Sequence, residues 1–177
     1  HPALLQHTGR AVVFDGLGDL ADGIDRDDLD VVESDILVLR YIGPKGAPGM
    51  PEAGLIPIPK KLARPGVKDM VRISDGRMSG TAAGTIILHV APEAAIGGPL
   101  ALVQTGDRIC LDAAGRRLEL LVSDEELARR KSALQLPKMS PNRGYGKLFH
   151  DHVVQAPGGV DFDFLQDIDR ADASGDA

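Results

Sequence analysis

The sequence is poor in cysteine, in aromatic residues and in long apolar runs, and each shortage narrows its class. A single cysteine, Cys110, stands among 177 residues. A disulfide framework is therefore excluded, and so is a cysteine-rich metal site built by this chain alone. Such sparing use of cysteine fits a reducing compartment, and a cytoplasmic location is the expectation. Tryptophan is absent and aromatics make up 3%, so the core has to be aliphatic. No apolar run approaches the length of a membrane span, and the start lacks a secretory signal pattern. No basic block occurs and the formal charge is −6. Nucleic acid and anionic membranes are thereby disfavoured as partners.

What remains is enough for one ordinary domain. Hydrophobic residues reach 43%, which at this length supports a real core. The 21 glycines and 12 prolines call for many turns, and favour a β-rich or mixed fold over a helical bundle. A single domain is expected over residues 1–165, with a disordered tail at 166–177. There is no internal repeat. The chain opens on His1-Pro2 without an initiator methionine, so the expectation is a piece of something longer.

Along the chain, residues 9–14 read as a short buried strand. Leu17, Leu20, Ala21 and Ile24 then recur at helical spacing, with the acidic residues between them facing water. The unbroken run Ile36-Leu-Val-Leu39 predicts a strand buried on both faces, typical of a parallel sheet. Residues 43–54, "GPKGAPGMPEAG", form a loop that proline and glycine shape rather than loosen. A short helical turn is expected before Pro65-Gly66, a strand in "DMVRIS", and another over residues 85–90, where β-branched residues cluster. "GGPLALVQTGDRICLDAAGRRLELLVS" reads as three strands broken at Thr105-Gly-Asp and Ala114-Gly. Ser123 with Glu126 three residues on predicts a helix start, running to about Ala133. "QLPKMSPNRGYGKLF" reads as a loop, and the segment after it as a short element with an anchoring tail.

Candidate chemistry concentrates in "VRISDGRMSGTAAGT", residues 71–85. Ser74, Ser79, Thr81 and Thr85 bring hydroxyls, while Gly76, Gly80 and Gly84 let backbone N–H groups approach a ligand. Three readings fit: an anion-binding nest, a presentation of Ser79 as nucleophile or base, or a tight turn whose hydroxyls bond their own backbone. It is not a phosphate-binding P-loop, since the Gly-Lys-Ser/Thr ending is missing. Nor is it a Gly-x-Ser-x-Gly elbow, since Arg77-Met78 precede Ser79. Glu52, inside the Pro/Gly loop, is either one oxygen ligand for a hard cation such as Mg²⁺ or a solvated loop glutamate. His150 and His152 form His-x-His, a spacing that binds metal on a strand; with no third ligand in view, surface or packing roles are favoured. His89 reads as a hydrogen-bonded core histidine, and Cys110 as a small buried hydrophobe.

Three long stretches, "VLRYIGPKGAPGMPEAG", "DMVRISDGRMSGTAAGTIILHVAPEAAIGGPLALVQTGD" and "LELLVSDEELARR", resemble the C-terminal domain of the dihydroxy-acid dehydratase and sugar-acid dehydratase family. The resemblance runs from about Gly9 to Leu165. Within the family, "RGYGKLFHDHVVQAPGGVDFDFL" and Met78 in "GRMSGTA" look most like pentonate (arabonate or xylonate) dehydratases. The resemblance implies a mixed α/β fold, a swivelling β/β/α domain with a β-barrel-like core and flanking helices. It implies loss of water from a 2,3-dihydroxy acid to give a 2-keto acid through an enol. In that chemistry an iron–sulfur cluster acts as Lewis acid on the C3 hydroxyl, Mg²⁺ holds the carboxylate and C2 hydroxyl, and a serine takes the C2 proton.

Residue by residue, the resemblance places that serine at Ser79, the second hydroxyl of the motif at Thr81 and one Mg²⁺ ligand at Glu52. The N–H groups of Gly80 and Thr81 are candidates for binding the substrate's negative charge. The cluster cysteines and the other Mg²⁺ ligands, a modified lysine among them, belong to the family's N-terminal domain and are not in this chain. Cys110 matches no cluster position. The expectation is an isolated chain without activity, an N-terminal domain of the same enzyme as partner docking on an exposed apolar patch, and a homo-oligomeric whole enzyme. Two alternatives stand beside this: a dihydroxy-acid dehydratase of branched-chain amino-acid synthesis, and a non-catalytic binding or assembly module that kept the fold.

Overall fold

The computed structural model of the protein describes residues 1–138 and 141–166. The tail expected to be disordered lies, from residue 167 on, outside the described residues. Six strands form one sheet: β1 (Gln6–Asp15), β2 (Ile36–Arg40), β3 (Arg72–Ser74), β4 (Ile86–Ile87), β5 (Arg108–Asp112) and β6 (Arg117–Leu120). Their spatial order is β4-β3-β2-β1-β5-β6. The β1–β2, β2–β3 and β3–β4 pairs are parallel, whereas β5 and β6 run antiparallel on the other side of β1. Four α-helices accompany them among the described residues: α1 (Gly16–Gly23), α2 (Lys60–Ala63), α3 (Asp124–Ala133) and α4 (Gly144–His152). The result is a mixed α/β domain whose sheet curls into a half-barrel.

The alternation of side chains along a strand divides the core in two. Ala11, Ile36, Val38, Val71 and Ile73 pack on one face with Leu100, Ala101 and Val103. Val12, Phe14, Leu37 and Leu39 pack on the other with Leu20, Ile24, Ile56 and Met70. Both faces of β2 are covered, which is why its apolar run is continuous and why Ile36 to Leu39 are fully buried, as the sequence predicts. Each such side chain contributes about 1.5–3 kcal/mol by leaving water. Helix α1 uses only part of its expected apolar stripe: Leu20 and Ile24 are buried, whereas Leu17 and Ala21 are exposed. Helix α3 starts where expected, with the Ser123 hydroxyl accepting the Glu126 N–H at 3.3 Å.

Three expectations give way. The first of the three strands read in residues 97–123 is instead a 3-10 turn, Pro99–Leu102. Proline offers no N–H to a ladder, and the Arg40 guanidinium takes up the carbonyls of Leu100, Ala101 and Val103 at 2.8–3.0 Å. The strand read over residues 85–90 shrinks to β4, because His89 adopts φ 55° and turns the chain away. Within the segment read as a loop, residues 144–149 begin α4. No helix among the described residues is long and apolar enough to cross a membrane.

Buried carboxylates hold the connections at the ends of these strands. Asp75, which follows β3, accepts the N–H groups of Tyr41 (3.1 Å), Ile42 (3.1 Å) and Ala94 (2.9 Å). Glu93 accepts those of Lys45 (2.8 Å) and Gly46 (2.9 Å) and the Gln155 amide (2.7 Å). Burial pushes the Asp75 carboxyl up, its three N–H bonds pull it down, and nearby Glu93 pushes it up again, for a net rise. Asp69, near the start of β3, takes the Thr85 N–H and hydroxyl, the Arg72 guanidinium at 2.7 Å and the His1 ammonium at 3.2 Å. Burial alone raises its pKa, but these partners outweigh it and bring the carboxyl down to about 2.

Asp75→Ala strands three buried N–H groups at about 1–3 kcal/mol apiece, so a loss of at least about 3 kcal/mol is expected in denaturant unfolding. Asp75→Asn, which keeps one carbonyl oxygen, falls between that variant and wild type. For Asp69 the folded pKa of about 2 lies below the ordinary 3.8, so its contribution is complete above pH 3.8 and is lost as pH falls toward 2. The stability gap between wild type and Asp69→Asn therefore closes over that window, as denaturant midpoints at a series of pH values will show.

Candidate functional site

Two connections leave the carboxyl ends of adjacent parallel strands, the usual position for a ligand crevice in such sheets. One follows β2 and carries Glu52; the other follows β3 and carries Ser79. Strands β2 and β3 are paired with Leu39 opposite Ser74, so the two loops emerge side by side. They are joined directly: the Gly54 N–H donates to the Arg77 carbonyl at 2.8 Å. Only glycine fits there, since a Cβ on residue 54 stands 2.9 Å from that carbonyl and 2.5 Å from Leu88.

The hydroxyls of the 71–85 stretch divide into two pairs. Ser74 and Thr85 turn inward and serve the frame. Ser74 Oγ accepts the Gly76 N–H at 3.0 Å, and Thr85 binds Asp69 through both N–H and hydroxyl. Ser79 and Thr81 turn outward and meet each other, Oγ to Oγ1, at 2.9 Å. Ser79 is half-buried, whereas Gly80 and Thr81 are exposed. The Thr81 N–H is aimed at Ser79 Oγ at 3.4 Å, so it faces the serine itself. In the contact between the two hydroxyls either oxygen can be the donor, and a bond donated to Ser79 Oγ favours its deprotonated form.

Glu52 is exposed, with Arg77 Nη1 at 3.8 Å from its Oε1. Thus Ser79, Gly80, Thr81 and Glu52 lie on neighbouring loops, with Arg77 between Glu52 and the serine turn. They form an open rim. Among the described residues, hollows lie elsewhere on the surface, one of about 440 Å³ lined by Leu5, Asp69, Thr85 and Leu111 and one of about 430 Å³ lined by His89, Pro157 and Val160. Among the described residues no group of three or more His, Cys, Asp or Glu is placed to hold a metal.

The remaining candidates part company with the rim. His89 is exposed, not a core residue, because its left-handed backbone swings it out of the sheet. Cys110 is half-buried on β5, with Arg117 Nη2 at 3.4 Å from its sulfur. Hydrogen bonds from Thr8 and then Arg117 lower its pKa, so it is a polarised thiol rather than an inert hydrophobe. His150 and His152 sit on α4, one residue apart along a helix, where they diverge. His152 Nδ1 pairs with Asp163 at 2.9 Å, a structural contact.

Sequence reasoning passed over the charges that hold the site: Arg72, Asp75, Arg77 and Glu93. The available signal was their position, with Asp75 and Arg77 inside the hydroxyl-rich stretch and Arg72 between apolar residues of a strand.

The family profile described as dihydroxy-acid/6-phosphogluconate dehydratase C-terminal matches residues 1–160. A 6-deoxy-6-sulfo-D-gluconate dehydratase of Pseudomonas putida is 53% identical over 165 residues, covering 93% of this chain and 28% of that protein. An L-arabinonate dehydratase of Rhizobium leguminosarum bv. trifolii (strain WSM2304) shows the same identity and coverage. A dihydroxy-acid dehydratase of Carboxydothermus hydrogenoformans is 44% identical over 162 residues, 91% of this chain and 29% of that protein. The chain spans less than a third of the length of these relatives. It belongs, on this match, to the C-terminal domain of the dihydroxy-acid/6-phosphogluconate dehydratase family.

Proposed function

We propose that this chain is the substrate-covering part of a hydro-lyase that converts a sugar acid of the pentonate class to its 2-keto-3-deoxy acid. The observation that carries the reading is the outward pair Ser79–Thr81, 2.9 Å apart on the loop that is bonded to the one bearing Glu52. Identity of 53% to two sugar-acid dehydratases, against 44% to a dihydroxy-acid dehydratase, favours a sugar acid over a branched-chain precursor. The sulfogluconate enzyme stands level with the arabinonate enzyme, so a six-carbon acid with an anionic far end is the second reading.

In the proposed step the C2–H bond breaks and its proton passes to Ser79 Oγ. The electron pair becomes the C2=C3 bond as the C3–O bond breaks, the hydroxyl leaves as water with a proton from the acid assigned below to the partner domain, and the enol becomes the 2-keto acid by loss of its O–H proton and protonation at C3. Serine is a very weak base at neutral pH, so its anion needs support. Thr81 is within reach to supply it through its hydroxyl and N–H. Glu52 suits a hard cation, being an exposed carboxylate on a rigid loop. It is one ligand only, and the others have to come from outside this chain. When bound there, Mg²⁺ neutralises the substrate's carboxylate end and draws charge off the C2 oxygen.

An iron–sulfur cluster does not fit the described residues, since Cys110, on β5 between β1 and β6 and beside Arg117, has no thiol companion among them. The acid that helps the C3 hydroxyl leave is therefore assigned to a partner domain of the same polypeptide. That domain also completes the Mg²⁺ shell and closes the rim by a swivelling movement of the half-barrel. The exposed Tyr145, Leu148, Phe164 and Leu165 offer it apolar surface. A homo-oligomeric, cytoplasmic enzyme is part of the same proposal.

The test is a substrate panel on the full-length enzyme. A pentonate is expected to be turned over with the highest kcat/KM, ahead of a branched 2,3-dihydroxy acid, and the reverse order overturns the assignment. Ser79→Ala is expected to lower kcat by about 10²–10⁴-fold, the usual worth of a positioned base. Turnover equal to wild type in that variant removes Ser79 from the role and brings the binding-module reading forward.

A further inference from the structure

Glu52 lies within a stretch whose backbone is held in a rare conformation at both ends. Met50 has φ 44° and Ile56 has φ 45°, left-handed values that are unusual for any side chain and an outlier for a β-branched one. Both side chains are buried. Such conformations persist only where their surroundings over-determine them, and they gather at functional sites. Two arginines do the holding. Arg77 Nε donates to the Met50 carbonyl at 2.6 Å. Arg72 Nη1 donates to the carbonyls of Leu55 at 2.9 Å and Ile56 at 3.2 Å. The carbonyl of each left-handed residue is thus bound by a guanidinium, and Glu52 stands between them.

The two arginines differ in where the rest of the guanidinium goes. Arg72 is buried and paired with Asp69 at 2.7 Å, so it belongs to the frame. Arg77 is half exposed, and its Nη1 reaches toward Glu52 Oε1 at 3.8 Å. Its own carbonyl takes the Gly54 N–H, and its backbone continues through Met78 into Ser79. From this we infer that Arg77 is a positioning residue of the site. It straps residues 50–54 to the serine turn and so presents the Glu52 carboxylate to a divalent cation in fixed register with Ser79. The inference rests on the reading of Glu52 as a Mg²⁺ ligand given above. Lysine does not replace it in kind, because it lacks the planar fork whose Nε reaches the Met50 carbonyl while Nη1 faces Glu52.

The experiment is calorimetric titration of Mg²⁺ into the full-length enzyme, in wild type, Arg77→Ala, Arg77→Lys and Glu52→Gln, with kcat at saturating Mg²⁺ and the melting temperature measured alongside. Both Arg77 variants are expected to raise the Mg²⁺ dissociation constant about 10–100-fold, the usual effect of removing a residue that orients a metal ligand. Their kcat at saturating Mg²⁺ falls as well, because the strap also sets the register of Ser79, but by less than in Ser79→Ala. Should Arg77→Ala fail to fold, Arg77→Lys, which keeps charge and bulk, decides the matter. Wild-type Mg²⁺ affinity in Arg77→Lys together with weakened affinity in Glu52→Gln overturns the positioning role alone. Wild-type affinity in Glu52→Gln overturns the ligand reading of Glu52, and the inference with it.

Discussion

The arrangement depends on two buried carboxylates that accept main-chain N–H groups. A chain leaving a parallel strand carries donors that no ladder satisfies, and each one buried without a partner is costly. Asp75 answers for Tyr41, Ile42 and Ala94; Glu93 answers for Lys45, Gly46 and the Gln155 amide. The loop after β2, the turn after β3 and the turn at Ala94 therefore meet at one point, and residues 43–54 are fixed without a helix or strand of their own. Burial and mutual repulsion work against two such carboxylates, as the upward shift at Asp75 records. They persist because each collects three hydrogen bonds.

On that frame, chemistry and scaffolding are separated within a single stretch of sequence. Of the hydroxyls between residues 71 and 85, those at the ends of the stretch are consumed by the fold, and the two in the middle are left facing out. Glycines 76 and 84 serve the turn itself, whereas Gly80 has nothing near its missing Cβ and stays open to solvent. The rim is an open surface rather than a pocket, and in the proposed reading it is one wall of a site. That agrees with a chain covering less than a third of its relatives, whose other catalytic groups are proposed to lie in the rest of the polypeptide.

Much of the fold was legible because the physics behind it is local. A short unbroken run of aliphatics such as Ile36–Leu39 reads as a strand covered on both faces, and Ser123 three residues before Glu126 marks a helix start. The failures share one cause. Pro99–Leu102 lost its strand to a guanidinium arriving from residue 40. His89 left the core because its backbone turned left-handed, with its N–H bound to the Gly76 carbonyl at 3.1 Å. Each outcome was set by a partner distant in the chain, which periodicity does not register.

For the candidate site the division is similar. The sequence by itself determined the class of the domain, the two loops worth attention and, through long motifs, the family to which they belong. Hydrophobic pattern, turn residues and motif spacing are properties of neighbours along the chain, so they can be read from it directly. Only the tertiary structure decided which hydroxyls face outward, that the Glu52 loop is bonded to the Ser79 turn, and that Arg72, Asp75, Arg77 and Glu93 hold both. Those outcomes follow from which buried donors find which acceptors across the fold. That pairing is settled only when the strands have been laid side by side.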